Sequence, residues 1–154
     1  LEIRHEVTEE SCSYAKQLLK QYGLEKFSHS KPSQLSGGMR QRAALVRTLV
    51  LKPDLLLLDE PFSALDYQTR LSVSNDIGSI IQKEKKTAIL VTHDLAEAVS
   101  LADRIIILTE RPGRIHRIIP VAFPEQLTPM ERRDHADFKT YFNLIWKELH
   151  HETT

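Results

Sequence analysis

The residues best suited to chemistry stand where apolar runs end. Leu55-Leu56-Leu57-Leu58 leads straight into Asp59-Glu60-Pro61, and the run from Thr87 to Val91 leads into Thr92-His93-Asp94. A short apolar run without polar alternation reads as a strand buried on both faces, as in parallel sheets. The end of such a strand holds the backbone firmly while successive side chains leave in different directions. One carboxylate of the Asp59-Glu60 pair can therefore hold a hard cation while the other faces a different reactant. A third feature lies upstream, where Ser36-Gly37-Gly38 places two of the chain's five glycines at the start of an amphipathic helix. First-turn N–H groups have no intrahelical partners and sit at the positive end of the helix dipole, which favours an anion. Glycine there lets a phosphate approach the backbone without striking a Cβ. Taken singly, each feature has an ordinary explanation: exposed acids at a loop start, a hydrogen-bonded histidine, a serine-capped helix. Taken together they suit a metal-bound phosphate ester attacked by water, a reaction that needs charge neutralisation and an oriented water more than covalent chemistry.

The rest of the chain supplies the elements that must hold these groups. Cys12, Ala15, Leu18, Leu19 and Tyr22 recur at helical spacing, and Gly23 follows where a left-handed residue ends a helix. Met39, Ala43, Val46 and Val50 mark a second helix that Pro53 stops. Asp66 can cap a third, through Val73, Ile77, Ile80 and Ile81, with Lys83, Lys85 and Lys86 at its carboxyl end. Asp94 and Glu97 have the spacing of a capping box ahead of a short helix. Ile105 to Leu108 reads as another strand, and Pro112-Gly113 as the middle of a type II turn that returns Ile115 to Ile119 as an antiparallel partner. Residues 120–137, with three prolines and much charge, read as a surface connection. Phe138, Tyr141, Phe142, Ile145, Trp146 and Leu149 form a closing helical stripe that packs on the core. The order strand, helix, strand, helix, strand predicts an α/β fold with a mainly parallel sheet, right-handed crossovers, and ligands outside the carboxyl ends of the strands.

Composition narrows the function. Lysine plus arginine and aspartate plus glutamate are both 21 in 154 residues, so no global field draws in nucleic acid. A single cysteine, Cys12, makes no internal disulfide. No run approaches the roughly 18 apolar residues of a membrane span, so a membrane would be reached through a partner.

In these residues the chain resembles the ABC ATPases. Leu35-Ser36-Gly37-Gly38-Met39-Arg40-Gln41-Arg42 resembles their signature motif, Leu55 to Glu60 their Walker B strand, Ser63-Ala64-Leu65-Asp66 their D-loop, and Thr92-His93-Asp94 their switch histidine. The four stand in the family's order, and the similarity of character runs from about Leu1 to Leu108. Arg111-Pro112-Gly113-Arg114-Ile115 looks most like importers of the nitrate, sulfonate and taurine group. Two expected parts are missing: no glycine begins a GxxxxGK[ST] phosphate loop, and no glutamine loop precedes the first helix. Leu1-Glu2 resembles the residues soon after that loop, so the chain reads as the carboxyl-terminal part of an ABC ATPase, a partial P-loop NTPase fold. Residues 1–52 would belong to the helical subdomain, 53–119 to the RecA-like core, and 120–154 to a carboxyl-terminal connection and helix.

The resemblance implies roles. Asp59 would bind the Mg2+ shell, Glu60 would orient or deprotonate the attacking water, and His93 would contact the γ-phosphate of ATP. Ser36, Gly37 and Gly38 would touch the γ-phosphate held by the opposite subunit of a head-to-tail homodimer, and Asp66 would cross that interface. Transmembrane permease subunits would be the other partners, placing the protein in the cytoplasm against the inner face of the membrane. Without its phosphate loop the chain alone is expected to be inactive, and the remaining sheet should expose apolar surface. Three rivals differ in their signals. A chromosome-maintenance ATPase should show long heptads or a basic surface, and neither is present. An unrelated α/β hydrolase using His93 should carry a G-x-S-x-G elbow, which is absent. A noncatalytic module that docks on a permease through residues 1–51 stays open.

Overall fold

A computed structural model describes residues 7–124 and 126–150. The expectation attached to Leu1-Glu2 lies outside them. The chain divides into two compact units, Leu1–Leu57 with Pro61–Ile89, and Leu58–Glu60 with Leu90–Thr154.

The described residues of the first unit include three α-helices: α1 (Glu9–Gln21), α2 (Gly37–Leu49) and α3 (Tyr67–Lys83). Thr8 and Ser11 cap α1 reciprocally, each side chain accepting the other's backbone N–H. Its end is the predicted one: Gly23 takes φ 71°, its N–H reaches the Lys20 carbonyl, and the Leu24 N–H reaches Leu19 at 2.7 Å. This pair of bonds is the Schellman arrangement, with buried Leu24 as its hydrophobic contact. α3 ends the same way without a glycine, because Lys85 occupies the left-handed position at φ 50° and Lys86 N–H bonds to Ile81. α2 packs against α3 and α1, and the unit buries Leu45, Val46 and Leu49 of α2, Val73, Ile77 and Ile80 of α3, and Leu18 of α1. Two polar ties cross these helices. Arg42 donates to Asp76 at 3.2 Å, and the Tyr22 hydroxyl donates to Glu84 at 2.6 Å. Burial, followed by that carboxylate, pushes the Tyr22 phenol well above its ordinary range.

The strands β1 (Leu55–Asp59) and β2 (Thr87–Val91) are hydrogen-bonded neighbours linked through α3. Glu60 N–H, just past the end of β1, donates to the Val91 carbonyl at the end of β2 at 2.9 Å, so the two strands finish side by side, as parallel strands do. The α/β class is as predicted. Burial on both faces is not: Leu56 is buried, but Leu57 is 72% exposed and Leu55, Ile89 and Val91 are also open. Alternation in a strand sends Leu55 and Leu57 to the face opposite Leu56. Only the Leu56 face is covered among the described residues. The exposed apolar sheet surface expected of a partial fold is thus present.

In the second unit β3 (Arg104–Leu108) pairs antiparallel with β4 (Ile115–Pro120), from Arg104 opposite Pro120 to Leu108 opposite Ile115. The hairpin was expected, but it forms its own two-stranded sheet instead of extending the parallel pair. Its connection is not a type II turn, since Gly113 does not take the positive φ such a turn requires. Thr109 organises it instead, its hydroxyl donating to the Pro112 carbonyl and accepting the Arg114 N–H at 2.9 Å. The core joins Val99 of α4 (Leu95–Leu101) with Ile105, Ile107, Ile119, Val121, Phe123 and Ile145.

The segment after β4 is more than a surface connection. Val121 and Phe123 enter the core, and a Thr128/Glu131 capping box starts α5 (Pro129–Asp134). Arg132 on α5 is almost wholly buried. It donates to the Ala102 carbonyl at the end of α4 and to Asp103, with its guanidinium over the Phe123 ring. Charge alone misplaced this residue, because an arginine can bury its stem and still pair its two terminal nitrogens at a helix carboxyl end. α6 (Phe138–His150) buries Ile145, with Phe138, Tyr141 and Leu144 packed beside it. Trp146 and Leu149 do not join the core; Trp146 stacks on His150 at 3.9 Å on the exposed side. Among the described residues no helix is long and apolar enough to cross a membrane.

Candidate functional site

The second unit brings Glu60 and His93 together. Glu60 follows β1 with φ 44°, a left-handed conformation that costs a non-glycine residue of order 1 kcal/mol and recurs at functional sites. The bond from its N–H to Val91 helps hold the bend. One carboxylate oxygen, Oε1, then accepts the His93 backbone N–H at 3.1 Å and meets His93 Nδ1 at 2.8 Å. The imidazole is 79% exposed and the carboxylate 35%, so water reaches both. The hydrogen bond to Glu60, then the charge of Glu60, raises His93 above the ordinary imidazole value of 6.5. Asp59 stands beside them, exposed at the end of β1.

His93 is carried on a segment with its own scaffold. Asp94 caps α4 as predicted, Oδ1 accepting the N–H groups of Ala96 at 2.8 Å and Glu97 at 3.0 Å. The reciprocal half of the expected capping box differs. The Glu97 side chain accepts the Thr92 hydroxyl at 2.8 Å, and that hydroxyl accepts the Asp94 N–H at 3.1 Å. A threonine thus stands between the carboxylate and the amide it was expected to reach. Glu97 is only 3% exposed. Sequence reasoning gave Thr92 no role of its own; the available signal was a hydroxyl five residues ahead of a carboxylate on a short, largely apolar helix.

The signature turn and Asp66 lie in the first unit. Ser36 caps α2, its Oγ accepting the Met39 N–H at 3.2 Å. A Cβ on Gly38 would fall 2.8 Å from Val73 Cγ2, and one on Gly37 2.9 Å from Leu65 Cδ2. Both glycines therefore have a packing reason beside any clearance for phosphate. The Gly38 constraint is the stiffer, because a β-branched side chain on a helix has one preferred rotamer. The close approach also sets the signature turn beside Leu65, the neighbour of Asp66. Asp66 caps α3 as predicted, accepting the Thr69 N–H at 3.0 Å, and the Thr69 hydrogen bonds hold its carboxyl below the usual range.

The chain is similar to known proteins of one family. The ABC transporter family pattern matches residues 2–63. An ABC transporter ATP-binding protein of Bacillus subtilis is 48% identical over 97% of this chain and 58% of its own length. One from Methanocaldococcus jannaschii is 50% identical over 97% of this chain and 56% of its own. An aliphatic sulfonates import ATP-binding protein of Bacillus licheniformis is 49% identical over 80% of this chain and 46% of its own. The chain thus spans about half the length of these relatives. A solved metal-chelate type ABC transporter in an inward-facing conformation shares the fold, with TM-score 0.64 and 22% identity over 75% of this chain and 45% of that one. These matches assign the chain to the ABC transporter ATP-binding family.

Proposed function

We propose that this chain forms the carboxyl-terminal part of the ATP-hydrolysing subunit of an ABC importer, carrying the water-activating groups of one site and the signature turn offered to another. The observation that carries the reading is the Glu60–His93 contact, one carboxylate oxygen held by both the amide and the ring of the histidine. In this scheme Glu60 takes the proton of the attacking water. His93 orients that carboxylate through Nδ1 and turns the other edge of its ring toward the γ-phosphate. A base held within hydrogen-bond reach is worth about 10²- to 10⁴-fold in rate.

The donor set fits Mg2+. Among the described residues no group of three or more histidine, cysteine, aspartate or glutamate side chains is gathered for a metal. Mg2+ is commonly held by one or two carboxylates together with substrate phosphates, so the single exposed Asp59 suits it. When bound, the ion supplies neutralisation of the phosphate charge. Ser36, Gly37 and Gly38 at the start of α2 would meet the nucleotide of a second, head-to-tail subunit, and Asp66 would lie along that contact. Permease subunits would anchor the pair at the cytoplasmic face of the membrane. The sulfonate-importing relative and the Arg111–Ile115 turn favour a sulfonate, nitrate, taurine or similar small anion as the transported solute.

The test compares this chain with the complete protein that includes the phosphate loop. Calorimetry should find tight ATP binding and steady hydrolysis only in the latter, because no GxxxxGK[ST] loop stands in the 154 residues. Micromolar ATP affinity in this chain alone would contradict the assignment of the phosphate cradle to the missing loop.

A further inference from the structure

We propose that Thr92 and Glu97 are positioning residues for the water-activating pair, fixing the main chain from which His93 grips Glu60. The inference rests on the ATPase reading above. His93 lies between two anchored neighbours. On one side the Thr92 hydroxyl accepts the Asp94 N–H at 3.1 Å, and on the other Asp94 Oδ1 is committed to the N–H groups of Ala96 and Glu97. A hydroxyl that accepts from an amide has its own proton to direct elsewhere, and here it goes to Glu97 Oε2 at 2.8 Å. The carboxylate thus selects the orientation in which Thr92 can hold Asp94.

Burial makes the pair more than a decoration of the helix start. Glu97 is 3% exposed, and a buried carboxylate is costly unless its hydrogen bonds are made. The other helix starts need no such layer. Asp66 caps α3 through Thr69 from an exposed position, and the Glu131 carboxylate of the α5 box reaches the Thr128 N–H directly at 2.7 Å. Among the described residues, only the helix that follows His93 routes its box through an intervening threonine to a buried acid. The His93 N–H and Nδ1, both directed at Glu60 Oε1, depend on the path of this short segment.

The experiment uses the complete protein, with ATPase kinetics and amide hydrogen exchange of ¹⁵N-histidine-labelled samples. Thr92→Val keeps the shape and removes the hydroxyl. It should lower kcat about tenfold to a hundredfold, as small misplacements of catalytic groups do, with KM for ATP within about twofold. Exchange at the His93 amide should rise, and Thr92→Ser should restore both kcat and protection. Should Thr92→Val not fold, Thr92→Ala gives the same reading. Unchanged kcat without the hydroxyl would overturn the inference. So would a loss that Thr92→Ser shares, or one matched by KM and melting temperature, which marks a general structural role. Glu60→Gln is the control: normal turnover there places the base elsewhere and removes the water-activating pair that Thr92 and Glu97 would position, whereas lost turnover there beside normal turnover in Thr92→Val sinks only the role of Thr92 and Glu97.

Discussion

The strand-end site and the signature turn put their residues to different uses. Glu60 and His93 are tied to each other, and the segment bearing His93 is anchored by Asp94, Thr92 and Glu97 in the same unit. In the signature turn, Ser36 spends its hydroxyl on the Met39 N–H, while Gly37 and Gly38 admit Leu65 and Val73 where a Cβ would stand. One region is organised by hydrogen bonds among groups suited to react, the other by close packing around backbone N–H groups. The difference teaches that the two should fail differently. Damage to the first should appear in turnover with the fold intact, and damage to the second should appear first in stability.

The largest effect should come from His93→Ala in the complete protein. Turnover should fall by about two orders of magnitude or more while ATP affinity and melting temperature change little. A variant that melts early with proportionate loss of activity would erase the contrast between the regions. Next comes Gly38→Ala, whose methyl meets the buried, rotamer-restricted Val73. Overpacking of this kind costs about 1–3 kcal/mol, partly offset by the roughly 1 kcal/mol gain of alanine over glycine within a helix. Gly37→Ala should cost less, since it meets the end of a flexible leucine. Urea melts of the two variants rank them, and the reverse order would mean that phosphate clearance, not Val73, governs Gly38.

The smallest effect is in pH. Glu60 raises the His93 value above 6.5, so the folded state holds that proton more tightly than the unfolded chain does. The stability this contact provides is therefore fully present below the ordinary imidazole range and is lost as pH rises through the raised value. The stability difference between wild type and His93→Gln should shrink with increasing pH. A difference that grows would reverse the sign of the coupling.

Much of this was legible because it depends on local rules. Gly23 at a left-handed helix end, Asp66 and Asp94 as caps, and the pairing of Ile105 to Leu108 with Ile115 to Ile119 follow from backbone sterics, unpaired amides and alternation. The four motifs gave the family for the same reason, each being a short string with a fixed task. What escaped was set by distant partners. Nothing in Arg132 announces that it will be buried under Phe123 against the end of α4, or in Glu97 that it will turn to Thr92. Lys85 ends α3 in a conformation that sequence patterns reserve for glycine, its cost met by the bonds of its neighbours. The four-leucine strand misled because a continuous apolar run implies two covering layers, and Leu57 has none among the described residues.

The role of Glu60 admits the most direct test. Glu60→Gln keeps the shape of the side chain and an oxygen that can still accept from His93, but removes a base strong enough to take a proton from water. Single-turnover hydrolysis by the complete protein should then drop by at least about a hundredfold while ATP binding by calorimetry stays within about threefold of wild type. Hydrolysis at the wild-type rate would place the base elsewhere and leave the Glu60–His93 contact as a structural tie.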